Sequence, residues 1–337
     1  VKTATMVRSA FVVLLAALYP APARAGEPIE TAAELPPYQQ AGQVSGEIKS
    51  VGSDSMKNLM ALWAETFERI YPGVTVEIEA KGSSTAPPAL VAGTANLGLM
   101  SRSMKSKEID AFEKRFGYKP IMVRTAIDVL AIYVHKDNPI VESGLTLPQI
   151  DAIFSKTRKG GCGVDVTTWG QVGLSGRWAD KPINLYGRNG ASGTHGFFKM
   201  HALFKGDFRD TVREKAGSAL VLQAVASDLY GIGYSGIGFR NVGVGVVPIA
   251  IDAQAGFVSP SAATVNEYPL ARYLTIYLNK RPGESLDPQR REFLKLVFSK
   301  EGQAAVIKDG YLPITTPIAT SDLKKVGLAL DVAKPGV

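Results

Sequence analysis

The sequence predicts an α/β protein of two lobes, each a helix-covered and mainly parallel sheet, joined by two hinge crossovers. Three observations carry this. Strand, short polar loop and helix recur three times between Gly46 and residue 116. Two longer apolar strands, residues 121–136 and 268–280, read as crossovers between lobes. The 337 residues, 45% hydrophobic and 20% charged, are enough for two buried cores.

The first strand, residues 47–51, ends at Gly52-Ser-Asp-Ser55. Met56, Leu59, Met60, Trp63, Phe67 and Ile70 then recur every three or four residues, which predicts a helix stopped by Tyr71-Pro-Gly73. Val74-Thr-Val-Glu-Ile-Glu79 alternates apolar and polar, the pattern of a strand. It leads through Lys81-Gly-Ser-Ser-Thr85 into a helix ending near Ala92. Residues 96–100 form an apolar strand that ends at Ser101-Arg102, and a polar helix covers 106–116. Farther on, residues 145–154 read as helical and 183–186 as a strand. The loop from Arg188 to Thr194 then opens a helix with Phe197, Phe198 and Leu203 on its core side. The expected division is one discontinuous lobe, 44–127 plus 266–327, one continuous lobe, 128–265, and a tail, 328–337.

The N-terminus reads as an export signal. Lys2 and Arg8 precede or flank the apolar run 10–18, Pro20 and Pro22 break it, and Ala23-Arg-Ala25 is a small-x-small cleavage site. The run is too short to span a bilayer. Residues 1–25 are therefore expected to be removed, leaving a soluble periplasmic protein, with 26–43 a flexible leader rich in Pro, Ala, Glu and Gln.

Charge and titratable residues narrow the function. The formal net charge is +7, and three of the positive charges (Lys2, Arg8, Arg24) lie in residues 1–25, which have no acid. The remaining excess suits an anionic ligand and is too diffuse for nucleic acid; no Lys/Arg run is interleaved with aromatics. Cys162 is alone, so no intrachain disulfide forms, and its Gly-rich loop has no partner motif for a reactive thiol. His135, His195 and His201 lack metal-ligand spacing, so no metal or other cofactor is expected.

Four loops share one chemistry: Gly52-Ser-Asp-Ser55, Gly82-Ser-Ser-Thr85, Ser101-Arg102, and Arg188 with Ser192-Gly-Thr194. Each lies between a strand and a helix. Glycine admits close backbone approach, hydroxyls donate, and helix N-termini add free N–H groups and a positive dipole end. Arg188 brings a planar fork suited to a tetrahedral oxyanion. Three loops from one lobe and one from the other would close around such an ion. Taken singly, each Ser also reads as a helix N-cap, as does Asp54, and Arg102 as an ion-pair partner.

At these residues the chain resembles the phosphate-binding proteins of phosphate ABC transporters. The resemblance rests on Gly52-Ser-Asp-Ser-Met56 with Trp63-Ala-Glu-Thr-Phe67, Lys81-Gly-Ser-Ser84 with Gly93-Thr-Ala-Asn-Leu-Gly98, and Ser101-Arg-Ser-Met104. It continues through Asp128 to Asn138-Pro139, Trp169-Gly170, Arg188 with Ser192-Gly-Thr194, and Gly231-Ile-Gly-Tyr234, spanning residues 46–315 in order. It implies a type II periplasmic binding fold and a monomer that captures inorganic phosphate and delivers it to membrane permease subunits. By position it places the anion contacts on Asp54, Ser55, Ser83, Ser101, Arg188, Ser192, Gly193 and Thr194. One position departs from the pattern. Well-known members carry Asp where Ser101 stands, a carboxylate that accepts the proton of phosphate and repels fully ionised sulfate. Asp54 is then the acid left to take that role, and sulfate, molybdate or tungstate stands as the alternative ligand. A secreted phosphatase is a third reading, with His195 beside Thr194 as its base.

Overall fold

The computed structural model describes residues 35–330. The chain runs β1 (Ser45–Gly52), α1 (Lys57–Ile70), β2 (Gly73–Glu79), α2 (Ala86–Ala92), β3 (Leu97–Met100), α3 (Ser106–Phe116) and β4 (Ile121–His135). It continues α4 (Ile140–Ser143), β5 (Leu145–Thr146), α5 (Leu147–Phe154), β6 (Asn184–Arg188), α6 (Gly193–His201), β7 (Arg213–Lys215), α7 (Ser218–Ala226) and β8 (Gly231–Gly236). β9 (Val244–Val247), β10 (Ile249–Ala250), β11 (Ala271–Leu278), α8 (Pro288–Val297), α9 (Lys300–Lys308) and α10 (Thr316–Lys325) complete it.

The main sheet runs in the order β2-β1-β3-β11-β4-β8-β6-β7, with β9 also on β4. Its flanks are parallel, β1 with β2 and β3, and β6 with β7 and β8. Its centre is antiparallel: β11 pairs with β3 and β4, and β8 and β9 pair with β4. Fifteen-residue β4 is shared between the lobes. Residues 121–129 pair with β11, and 130–135 pair with β8 and β9.

Two cores flank this junction. One gathers Ile48, Trp63, Phe67, Leu99, Val123, Ile276 and Phe293. The other gathers Leu130, Ile132, Phe154, Trp169, Phe198, Ile232 and Leu270. Trp63 shows why α1 sits where it does: it is fully buried, and its indole N–H donates to Gly302 O at 2.8 Å.

Two expectations need correction. Leu145 and Thr146 are not helical; they pair with β10, and the Thr146 side chain then caps α5 by accepting from Gln149 N. Residues 35–43 lack regular structure but are not a loose leader. Leu35 is buried, Tyr38 Oη lies 2.7 Å from Tyr71 Oη, and Tyr38 N donates to Glu301 at 2.7 Å. The export signal 1–25, the rest of the leader to residue 34, and the end of the tail from 331 lie outside the described residues.

Candidate functional site

The four loops meet where the two halves of the sheet join. β1 ends in a 3-10 turn at Asp54–Met56, and Ser83–Thr85 forms a second such turn before α2. Ser101 follows β3 directly, and β6 delivers Arg188 at its carboxyl end. Ser55, Ser83, Ser101, Arg188, Ser192 and Thr194 are all buried.

Within the first lobe the hydroxyls form a chain. Ser53 Oγ donates to Ser101 Oγ at 2.9 Å, Ser101 Oγ lies 3.3 Å from Ser83 Oγ, and Ser101 N donates to Ser83 Oγ at 3.1 Å. Across the interface, Ser55 Oγ lies 3.0 Å from Thr194 Oγ1. The N-terminus of α6 presses against this cluster. Ser192 Oγ caps the helix by accepting from Thr194 N and His195 N. At Gly193 a Cβ would stand 2.1 Å from Ser83 Oγ and 2.5 Å from Ser101 Oγ, so only glycine permits the approach. Gly82 meets the opposite loop in the same way, with φ +117° and space closed by Ala191 O.

Arg188 anchors the second side. Its Nη1 donates to Ser218 Oγ at 2.5 Å and faces Asp54 Oδ2 at 3.0 Å; Nη2 donates to Ala216 O at 2.9 Å. Its Nε is buried and has no partner among the described residues. Burial pulls the guanidinium below its ordinary value, opposed by Asp54, yet a guanidinium remains charged. Asp54 does not cap its own turn, where Ser53 is the N-cap residue. Its Oδ2 accepts from Ser218 N, the first residue of α7 in the other lobe, and Oδ1 has no hydrogen-bond donor among the described residues. All eight residues expected from sequence thus fall in one contiguous interlobe cluster.

Arg102, read as loop chemistry or an ion pair, is the latter. Its fork binds both carboxylate oxygens of Glu108 at 2.7 and 2.8 Å. The structure also adds residues that the sequence reading missed. Ser218 supplies N–H and hydroxyl contacts to the ion pair. Arg272 on β11 pairs with fully buried Asp128 on β4 and reaches both Ser101 O and Thr194 Oγ1. The available signal was Arg272 as the one charge in apolar β11, and Asp128 as one of two charges, with Arg124, in mostly apolar β4.

His195 stacks on Phe208 with ring centroids 4.4 Å apart, and burial lowers its pKa to about 4. No hydrogen bond joins its ring to a site hydroxyl among the described residues. The arrangement can therefore bind and release an anion, with hydroxyls and one guanidinium as donors and Asp54 Oδ1 as acceptor. Among the described residues, no base is hydrogen-bonded to Ser55, Ser83 or Ser101 Oγ.

The family model described as the PBP superfamily domain matches residues 37–301. The chain belongs to this superfamily. Within the superfamily it is 55% identical to the phosphate-binding protein PstS of Pseudomonas aeruginosa over 296 residues, covering 87% of this chain and 91% of that one. It is 28% identical to protein SphX of Synechocystis, covering 81% and 80%. Among solved structures, it resembles the phosphate-bound structure of a Clostridium perfringens chain assigned as a phosphate ABC transporter substrate-binding protein. That match has a TM-score of 0.67 and 26% identity, covering 80% of this chain and all of that one. The two-lobed binding-protein fold of the superfamily is the fold described above.

Proposed function

We propose that this PBP-superfamily protein captures inorganic phosphate between its lobes in the periplasm and delivers it to the permease subunits of an ABC importer. The observation that carries the reading is Arg188: a guanidinium 2% exposed, its Nε without a partner among the described residues, held by Ser218 and Ala216 of its own lobe and facing Asp54 of the other. A buried donor on a full charge that lacks a partner favours an anion in its place. The relationship to PstS proteins, named for phosphate, supports phosphate as that anion. Asp54, Ser55, Ser83, Ser101, Arg188, Ser192, Gly193 and Thr194 are assigned as the ligand-binding set.

Asp54 supports phosphate over sulfate on chemical grounds. Its Oδ1 is an acceptor with no donor among the described residues, and phosphate near neutral pH brings a proton to give, whereas sulfate does not. The lobes assigned to this capture are 44–127 with 266–327, and 128–265. Residues 1–25 are assigned as the export signal that takes the protein to the periplasm, where it acts as a monomer. Calorimetry of ligand-stripped protein against phosphate, arsenate and sulfate tests the reading. Phosphate and arsenate should bind and sulfate should not; sulfate binding with no phosphate heat would overturn it.

A further inference from the structure

The two central strands hold a charge pair outside the four loops. Arg272 and Asp128 stand directly opposite each other in the antiparallel register of β11 and β4. Arg272 Nε and Nη2 both donate to Asp128 Oδ2, at 2.9 and 2.7 Å. Asp128 Oδ1 accepts from Ile237 N at 3.1 Å. The guanidinium also lies over the Phe197 ring, 5.2 Å from its centroid. The base of the fork is thus fixed to the junction between lobes. Its remaining reach is divided: Nη1 donates to Ser101 O in one lobe at 3.0 Å, and Nη2 donates to Thr194 Oγ1 in the other at 3.0 Å.

We propose that Arg272 is a positioning residue for anion capture, which clamps Ser101 and Thr194 together from the hinge and turns the Thr194 hydroxyl proton toward the ligand. The proposal rests on the four-loop reading of the site. A hydroxyl has one proton and two lone pairs. Because Thr194 Oγ1 accepts from Arg272, its own proton is free to donate to Ser55 Oγ or to an anion. Without Arg272 the hydroxyl could present lone pairs to the ligand instead. Separation of the lobes would also break one of the two outer bonds of the fork. The full set forms only when the lobes are closed, so Arg272 favours closure through contacts that the open form lacks.

A double-mutant cycle tests this with inorganic phosphate as the titrant, using Arg272→Gln, Thr194→Val and the two combined. Loss of a charge-assisted bond should raise the phosphate Kd about ten- to hundredfold in Arg272→Gln. In the Thr194→Val background, the same change should cost no more than about threefold, because its target hydroxyl is gone. Asp128 is fully buried, and Arg272→Gln alone leaves its carboxylate unpaired. Arg272→Gln with Asp128→Asn removes both charges and carries the test if the single variant does not fold. Unchanged affinity in that folded protein, or effects of Arg272 and Thr194 that simply multiply, would overturn the proposal. Arg188→Ala run in parallel separates the two readings: if it keeps full phosphate affinity, the site assignment itself fails.

Discussion

Asp54 in one lobe caps helix α7 of the other: its Oδ2 accepts from Ser218 N at 3.0 Å and faces Arg188 Nη1 at the same distance. A carboxylate at a helix N-terminus is stabilised by free N–H groups and the dipole. Here that stabilisation exists only while the lobes are together. The same holds for Ser55 with Thr194, and for Ser84 N with Ala191 O at 3.1 Å. Closure and assembly of the binding set are therefore one event.

Arg188→Ala should weaken phosphate binding by roughly a hundredfold or more. The substitution removes a buried guanidinium and leaves Asp54 without its counter-charge, a class of change that costs about 3–5 kcal/mol. Calorimetry reads the affinity, and a thermal melt shows whether the variant is folded. A folded variant with the parent affinity would remove Arg188 from the site.

Gly193→Ala should separate folding from capture. The added methyl would meet Ser83 and Ser101 across the interface, whereas each lobe core is untouched. We expect a melting temperature within a few degrees of the parent, about tenfold or greater loss of phosphate affinity, and little compaction on ligand addition by small-angle scattering. Normal compaction with normal affinity would show that α6 does not close on the serine cluster.

How much of this was legible in the sequence follows from where each contact comes from. Asp54, Ser83 and Ser101 could be read because strand, polar loop and helix recur locally. Arg188 could be read because it ends a strand before a Ser-Gly-Thr helix start. Arg272 and Asp128 are 144 positions apart, and only the antiparallel register of β11 on β4 makes them neighbours. Ser218 contributes a backbone N–H, which any residue at that helix start would carry, and a hydroxyl whose partner Arg188 is 30 positions away. Residues 35–43 have a leader-like composition, and the contacts of Leu35 and Tyr38 that hold them depend on distant Tyr71 and Glu301. Two-residue β5 is too short for any period to show.

The pH dependence of stability should carry a mark of His195. Burial chiefly, with nearby Lys199, Lys105 and Arg188, lowers its pKa to about 4 from 6.5. Between those values the unfolded chain binds a proton that the folded chain refuses, so stability falls as pH drops from about 6.5 toward 4. Asp309 opposes this, since burial raises its carboxyl to about 6 and favours the folded state at the acid end of that window. The comparison must therefore be made against His195→Asn, in which Asp309 is unchanged. Melting temperatures of the parent should fall relative to those of the variant on acidification from pH 7 to 4.5. Parallel curves would show that His195 titrates normally in the folded protein.

On the proposed site, selectivity should turn on Asp54. Ser101 can donate a proton to an anion but cannot repel one, so Asp54 is the one carboxylate among the eight assigned residues. Its Oδ2 is committed to Arg188 and Ser218 N, leaving Oδ1 as an acceptor. Phosphate can place a P–O–H proton there. Sulfate would set an unprotonated oxygen against a carboxylate, and such a like-charge contact costs several kcal/mol. In Asp54→Asn the amide oxygen can still accept from Ser218 N, so the α7 cap survives while the negative charge is lost. Phosphate should bind more weakly, because with the amide oxygen on Ser218 N the Oδ1 position carries an NH2, which donates and cannot accept the phosphate proton. Sulfate should bind measurably, because its repeller is gone. The ratio of phosphate to sulfate affinity should fall by at least about tenfold, or roughly 1.4 kcal/mol. Competition calorimetry on parent and variant at pH 7 reads that ratio. If Asp54→Asn rejects sulfate as firmly as the parent does, Asp54 is an interlobe cap only, and selectivity resides in the hydroxyl geometry of Ser55, Ser83 and Thr194.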